Sequence, residues 1–270
     1  MHIQVIVDNI GTETLPGEWG LCIMITHEGK RILLDTGASA LFLDNMQALG
    51  YRVEDVDAAV LSHAHYDHGN GMPMFFQKNT GARFYLRKAC GENCYAIKNG
   101  EREYIGLPEG VLSRYADRLD KVDGLREIFD GVYLVPHLDK DLAAVGRREA
   151  MFLKENGGFR EDDFAHEQSL VIRTQRGLVI FNSCCHAGAD RVIADALATF
   201  PGEAIYALIG GFHLYNKTEE EVRAFASRLK NCGVEHLLTG HCTGEEAFRI
   251  LREELGEKVQ YFSVGFSMEL

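Results

Sequence analysis

Residues 61–71 read LSHAHYDHGNG, and this stretch decides the fold. His63, His65, Asp67 and His68 place three imidazoles and one carboxylate within a six-residue window. Holding these groups together is costly without a cation, and imidazole and carboxylate are the ligands that zinc and its neighbours take. The residues just before, Val56 to Leu61, are mostly apolar and β-prone, so the cluster falls where a buried strand ends. Functional groups on a rigid scaffold concentrate at such ends. The bland alternative is a solvated, His-rich loop. Two alternating histidines followed by an adjacent Asp-His pair weigh against it.

The spacing also bears on the number of ions. His63 and His65, two residues apart, can converge on one ion. Asp67 and His68 point elsewhere and suit a second, about 3.5–4 Å away as in two-metal hydrolytic sites.

The HxHxDH string resembles the signature of the metallo-β-lactamase superfamily. That resemblance implies an α/β (α+β) fold: an αββα sandwich of two mixed sheets, helices on the outer faces and a one- or two-metal site at the sheet edges. Other landmarks follow in order. A hairpin (Leu21–Thr26, Arg31–Leu34) leads into Asp35-Thr36-Gly37, which resembles the DTG turn of the superfamily, and a helix over 40–49 precedes the metal-motif strand. The strings SHAHYDHGNG, FNSCCHAG, IGGFHL and TGHCTG, with the opening VDNIG and EWGLC, are similar to one branch. It is named after the 7,8-dihydropterin-6-methyl-4-(β-D-ribofuranosyl)aminobenzene 5′-phosphate synthase of methanogens. That branch commonly has a histidine where Trp19 stands here.

Composition bounds the partners. The length of 270 residues suits one large α/β domain, expected over residues 1–270, or two small ones. No apolar run reaches the ~18 residues that span a bilayer, and MHIQVIVDN lacks a basic segment ahead of an apolar one. The expectation is a cytoplasmic protein with no membrane partner. A net charge of −12 without a basic track argues against a nucleic-acid partner, because backbone binding needs cations to displace counterions. A small anionic molecule is the expected substrate; the oligomeric state is open. Seven cysteines, an odd number, argue against a disulfide framework. Cys90 and Cys94 read as free thiols.

From about residue 90 to 165 charges are dense, glycines frequent and apolar periodicity broken, apart from a strand-like Val132–Val135. This stretch is expected to be an insertion covering the active site; a structured insertion without substrate contact is equally open. Beyond it the pattern is strand, turn, histidine, helix, three times over. Runs at 169–174 and 178–181 flank a turn, and the second ends in FNSCCHAG. A strand over 204–209 ends in GGFH, and a third over 235–238 ends in TGHC. The intervening helix opens at Thr218 with Glu221 three residues on, a capping box. His186, His213 and His241 thus fall at strand ends among glycines, as close backbone approach to a ligand requires.

The resemblance implies that His241 closes the second metal position. His186 is the candidate to complete the first with His63 and His65; His166 is a lower-ranked substitute, because its surroundings are acidic and read as solvated. Superfamily members place a bridging Asp at the end of the LVIFNS-type strand, and here that position holds Cys184 or Cys185. A thiolate ligand, with Cys184 the candidate, and a small buried packing residue are both open. His213 is a further ligand or, preferred, a proton-transfer group beside Asp67, which both ligates and orients the nucleophile. Asp35 is expected to orient a ligand histidine through its second ring nitrogen.

The expected cofactor is one or two divalent ions, zinc first, with iron, manganese or nickel admitted. The leading reading is a hydrolase of a small anionic ester, phosphodiester or thioester that uses metal-bound hydroxide. The alternatives are a dihydropterin-diphosphate transferase and a non-catalytic metal- or ligand-binding protein, with a redox role for Cys184-Cys185 as a lesser variant. A flavodiiron role is disfavoured, since no Glu stands between the histidines.

Overall fold

The computed structural model describes residues 1–139 and 141–270. Its contacts divide the chain into two compact units, each built from separated segments. The first comprises Met1–Asp123, Asp139–Glu167 and Ser263–Leu270; the second, Gly124–Leu138 and Gln168–Phe262.

The first unit is built on a seven-stranded mixed sheet. Its order is Ser267–Glu269, His2–Val7, Cys22–His27, Lys30–Leu34, Ala58–Val60, Arg83–Arg87, Leu119–Val122. The pairings are antiparallel as far as Lys30–Leu34 and parallel from there on. The parallel part is where near-continuous apolar runs are expected, and Ile32–Leu34 and Ala58–Val60 are wholly buried. The helix Leu41–Ala48 follows the DTG turn, and Met72–Lys78 opens with a proline, whose missing N–H costs nothing there. The metal motif begins at His63, three residues after Val60, and runs into a one-turn helix, Tyr66–Gly69.

Between residues 94 and 161 the structure departs from the expectation of broken periodicity. Gly158–Glu161, Met151–Glu155, Cys94–Lys98 and Glu101–Tyr104 form a four-stranded antiparallel sheet in the first unit. Every residue of Glu101–Tyr104 is exposed, so the strand carries no apolar alternation. Its pairing is set by hairpins and by the distant register Met151↔Ala96 rather than by local pattern.

The second unit holds the other seven-stranded mixed sheet. The order is Val259–Tyr261, His236–Thr239, Ile205–Ile209, Gly177–Phe181, Gln168–Thr174, Val132–Pro136, Arg126–Phe129. The first four strands run parallel. Parallel neighbours need crossovers, supplied here by the helices Ala189–Thr199, Glu219–Lys230 and Glu245–Leu255. Val222, Phe225, Ala226 and Leu229 recur at helical spacing and pack with Ile205, Leu208, Leu237 and Val259 into one core. The Thr218–Glu221 capping box forms as read. Because the strands share one direction, Gly177–Phe181, Ile205–Ile209 and His236–Thr239 each deliver a histidine from the C-terminal end, the edge where α/β sheets place their sites.

Candidate metal centre

In the first unit, hydrogen bonds fix the motif histidines. Asp35, fully buried at the end of Lys30–Leu34, accepts from the Ser62 backbone N–H at 2.7 Å through Oδ1. Its Oδ2 accepts from Ser62 Oγ at 2.7 Å and from His68 Nδ1 at 2.8 Å. With its own proton committed to Asp35, Ser62 Oγ can only accept from His63 Nδ1, 2.8 Å away. The network therefore assigns His63 and His68 the tautomer whose Nε2 carries the lone pair, the form a metal needs. The Asp35 backbone itself is left-handed, φ +60°. Thr36 closes the turn by donating from its N–H and its hydroxyl to the His68 carbonyl.

The three rings are neighbours: His63 lies 4.5 Å from His65 and 4.2 Å from His68 between centroids. Asp67 Oδ2 stands 3.6 Å from His68 Nε2. All four side chains are buried. Burial, aided by the nearby His166 ring, pushes His65 down to about 3, so it is neutral and ligand-competent across ordinary pH. The EWGLC segment frames the motif: Leu21 N–H donates to the Asp67 carbonyl, and a Cβ on Gly20 would meet that same oxygen at 2.8 Å. Trp19 is 42 % exposed.

His166 is not in a solvated stretch. It is 1 % exposed, as are Asp162 and Glu167, and Phe164 is fully buried. The acidic composition misled because Asp162 turns inward, its Oδ1 accepting from Phe164 N–H and its Oδ2 lying 3.0 Å from His166 Nε2. His166 Nδ1 accepts from the Ala64 N–H at 3.2 Å, between the first two motif histidines. Its ring stands 5.4 Å from His65 and 6.2 Å from His63. His65, Cys94, Asp162 and His166 bring their donor atoms within 4.8 Å of one another. Cys94, read as a free thiol, is free and belongs to this buried group, and no sequence spacing could have linked it to His166.

In the second unit, Cys184, His186 and His213 bring their donor atoms within 4.8 Å of one another, and so do Cys184, His241 and Cys242. The His186 and His213 rings are 4.5 Å apart. Both ring nitrogens of His213 are buried. Cys185, the other candidate for the bridging position, instead donates from its backbone N–H to Asn182 Oδ1 at 2.7 Å, and its sulfur faces the Asn182 carbonyl. Cys185, His213 and His241 all adopt left-handed φ, +48°, +50° and +48°. Such backbone costs about 1–3 kcal/mol per residue and gathers at functional positions. Cys242 was not singled out in the sequence. Burial opposes its charge, but Cys184 beside it and the His241 and His213 rings together hold its thiol well below the usual range.

The donor sets fit a divalent ion: each unit gathers buried nitrogen, oxygen or sulfur donors, and two histidines are held in the ligating tautomer by a buried carboxylate. The sequence profile of the metallo-beta-lactamase superfamily matches residues 18–147. It is 28% identical over 96% of its length to the 7,8-dihydropterin-6-methyl-4-(beta-D-ribofuranosyl)-aminobenzene-5'-phosphate synthase of Methanocaldococcus jannaschii, 96% of which is covered. It is 29% identical, with a TM-score of 0.83, to the crystal structure of Tm1679, a metal-dependent hydrolase of the beta-lactamase superfamily, covering 100% of this chain and 99% of that one. Zn(2+)-bound PqqB from Methylobacterium extorquens shares the fold, with a TM-score of 0.59 at 12% identity and full coverage of both chains. The mixed α/β fold is therefore that of the superfamily's metal-dependent hydrolases. No helix among the described residues is long and apolar enough to cross a membrane.

Proposed function

We propose that the chain is a metal-dependent hydrolase of a small anionic ester, phosphodiester or thioester, acting in the cytoplasm on a soluble substrate. The observation that carries the reading is the buried Asp35 carboxylate, which through His68 directly and Ser62–His63 indirectly keeps both imidazoles ready to ligate. Similarity to a metal-dependent hydrolase over the full chain supports it.

When bound, one or two divalent ions supply Lewis acidity toward water and toward a phosphoryl or carbonyl oxygen, zinc being the first candidate. His63, His65, Asp67 and His68 hold metal on the first unit; Cys184, His186 and His241 do so on the second. His166, the lower-ranked substitute, has its Nδ1 lone pair taken by the Ala64 N–H and its Nε2 turned to Asp162, so it would support the His65 ring rather than ligate. Asp67, 7 % exposed, orients the attacking water through the carboxylate oxygen it does not turn to His68. His213 carries the proton of the leaving group. Its ring nitrogens are buried, and its left-handed backbone fixes the direction in which the ring leaves the strand end. Burial of His63, His65, Asp67 and His68 on the first unit excludes bulk water and strengthens the charge interactions among these four.

A second reading is favoured by one observation, the 28% identity to a synthase across nearly the whole of both chains. In that case the same ligands serve group transfer, and turnover requires a second organic substrate. The discriminating experiment is an assay of zinc- and manganese-loaded protein against phosphodiesters, phosphomonoesters, thioesters and carboxylic esters, each as sole substrate. Hydrolysis of one class, abolished by His63→Ala, is expected. Turnover only when a dihydropterin diphosphate and an aromatic acceptor are both present would move the assignment to the transferase. No turnover in either format would leave a metal-binding protein without catalysis.

A further inference from the structure

Cys242 has no part in the chemistry above, yet its surroundings are built around its sulfur. The Cys242 and Cys184 sulfurs lie 3.4 Å apart, and both residues are buried. Two thiolates on one tetrahedral zinc, each bond near 2.3 Å, stand about 3.8 Å apart, whereas a disulfide brings them to about 2.05 Å. The observed separation is that of a hydrogen bond from the Cys242 thiol to the Cys184 sulfur; it is far from the covalent value and needs only a few tenths of an ångström of movement to reach the metal-bridged one. The His241 ring supplies a third donor atom within 4.8 Å of both sulfurs.

The backbone around Cys242 is shaped for a sulfur with charge. The His213 N–H donates to Cys242 Sγ at 3.3 Å, a contact that strengthens when the acceptor is ionised. Gly211 leaves the space the sulfur occupies, since a Cβ there would stand 2.4 Å from it. The residues on either side of that N–H bond are held by further links: Phe212 N–H donates to Thr243 Oγ1, and the Leu214 and Tyr215 N–H groups both donate to the Cys242 carbonyl. The GGFHL and GHCTG turns are thus tied together around one sulfur.

We propose that Cys242 is a metal ligand, and that Cys184, Cys242 and His241 form a thiolate-rich position for a borderline or soft divalent ion such as zinc or iron(II). This rests on the reading that the chain binds metal and adds which residues set the choice of ion. Two thiolates neutralise the dication and select against magnesium and manganese, which prefer oxygen. The position lies wholly on the second unit.

The test uses the full chain, reduced and loaded with cobalt(II), whose bonds to thiolate give a near-ultraviolet charge-transfer band absent from nitrogen and oxygen sites. The native protein is expected to show the band, Cys242→Ser and Cys184→Ser to lose about half of it each, and the double variant to lose all. Cys185→Ser is expected to retain it. Cobalt bound without the band, or a band unchanged in Cys242→Ser, overturns this proposal and leaves the metal-binding reading standing. No cobalt bound at all overturns both. Should the variants fail to fold, X-ray absorption of the unmodified zinc-loaded chain decides. Sulfur scattering at about 2.3 Å from zinc supports the assignment, and a shell of nitrogen and oxygen alone overturns it.

Discussion

Asp35 and His68, 33 residues apart in sequence, meet through a 2.8 Å hydrogen bond between two fully buried side chains. Asp35 stands at the end of one strand and His68 in the helix that follows the next, so the bond ties the DTG turn to the last residue of the metal motif. Replacing Asp35 by Asn tests it with little backbone cost, because Asn tolerates the left-handed φ of this position. Metal affinity is expected to fall about 10–100-fold, the usual cost of losing a carboxylate behind a ligand histidine. Competition with a chromophoric chelator measures it; unchanged affinity would mean that Asp35 is structural only.

Acid should destabilise the metal-free protein through His65. Its folded value is about 3 and its unfolded value 6.5, so the contribution is fully present above pH 6.5. Between pH 6.5 and 3 the unfolded chain binds a proton that the folded chain refuses, and stability falls as pH falls, by about 1.4 kcal/mol per unit. Urea midpoints of chelator-treated protein at pH 7, 5.5 and 4.5 should decline more steeply for the native chain than for His65→Gln. Parallel declines would contradict the neutral, buried state of this ring.

His241→Ala and His213→Ala should separate ligation from proton transfer. The first is expected to lose bound metal and activity together. The second is expected to keep its metal and lose about 10²–10⁴-fold in kcat, the scale of a general acid or base. Elemental analysis beside steady-state kinetics checks both. Metal lost from the His213 variant would make that residue a ligand, alongside Cys184 and His186, whose donor atoms it approaches.

Gly211→Ala should displace the Cys242 sulfur. The new methyl would stand 2.4 Å from Sγ and 2.9 Å from the Ser183 carbonyl, and no rotation of a long side chain can relieve both. A loss of about 1–3 kcal/mol is expected from overpacking, read as a lower urea midpoint. A midpoint equal to that of the native chain would show that the turn yields.

How far the sequence could be read depended on where its signals were local. The three second-unit histidines were legible because each follows an apolar run such as Leu178–Phe181, which can only be a buried strand, and is followed by a glycine or a turn. The HxHxDH string was legible from ligand chemistry alone. His166 was not, because composition reports Asp162, Asp163 and Glu167 as a solvated acidic run, whereas the inward hydrogen bonds of Asp162 bury it. Nor was the four-stranded sheet of the first unit, whose strands are half exposed and pair across more than fifty residues. Cys242 escaped for a related reason, and the spacing of Cys94 from Cys90 gave no hint of His166: only the fold supplies the partners of either cysteine.

The most direct test of a metal-dependent centre is the metal content of the purified full-length chain, measured by elemental analysis beside His63→Ala and His68→Ala. One or two divalent ions per native chain, with stoichiometric loss in either variant, is the predicted result. A native chain that takes up no divalent ion even after equilibration with zinc, manganese or iron(II) would contradict the account.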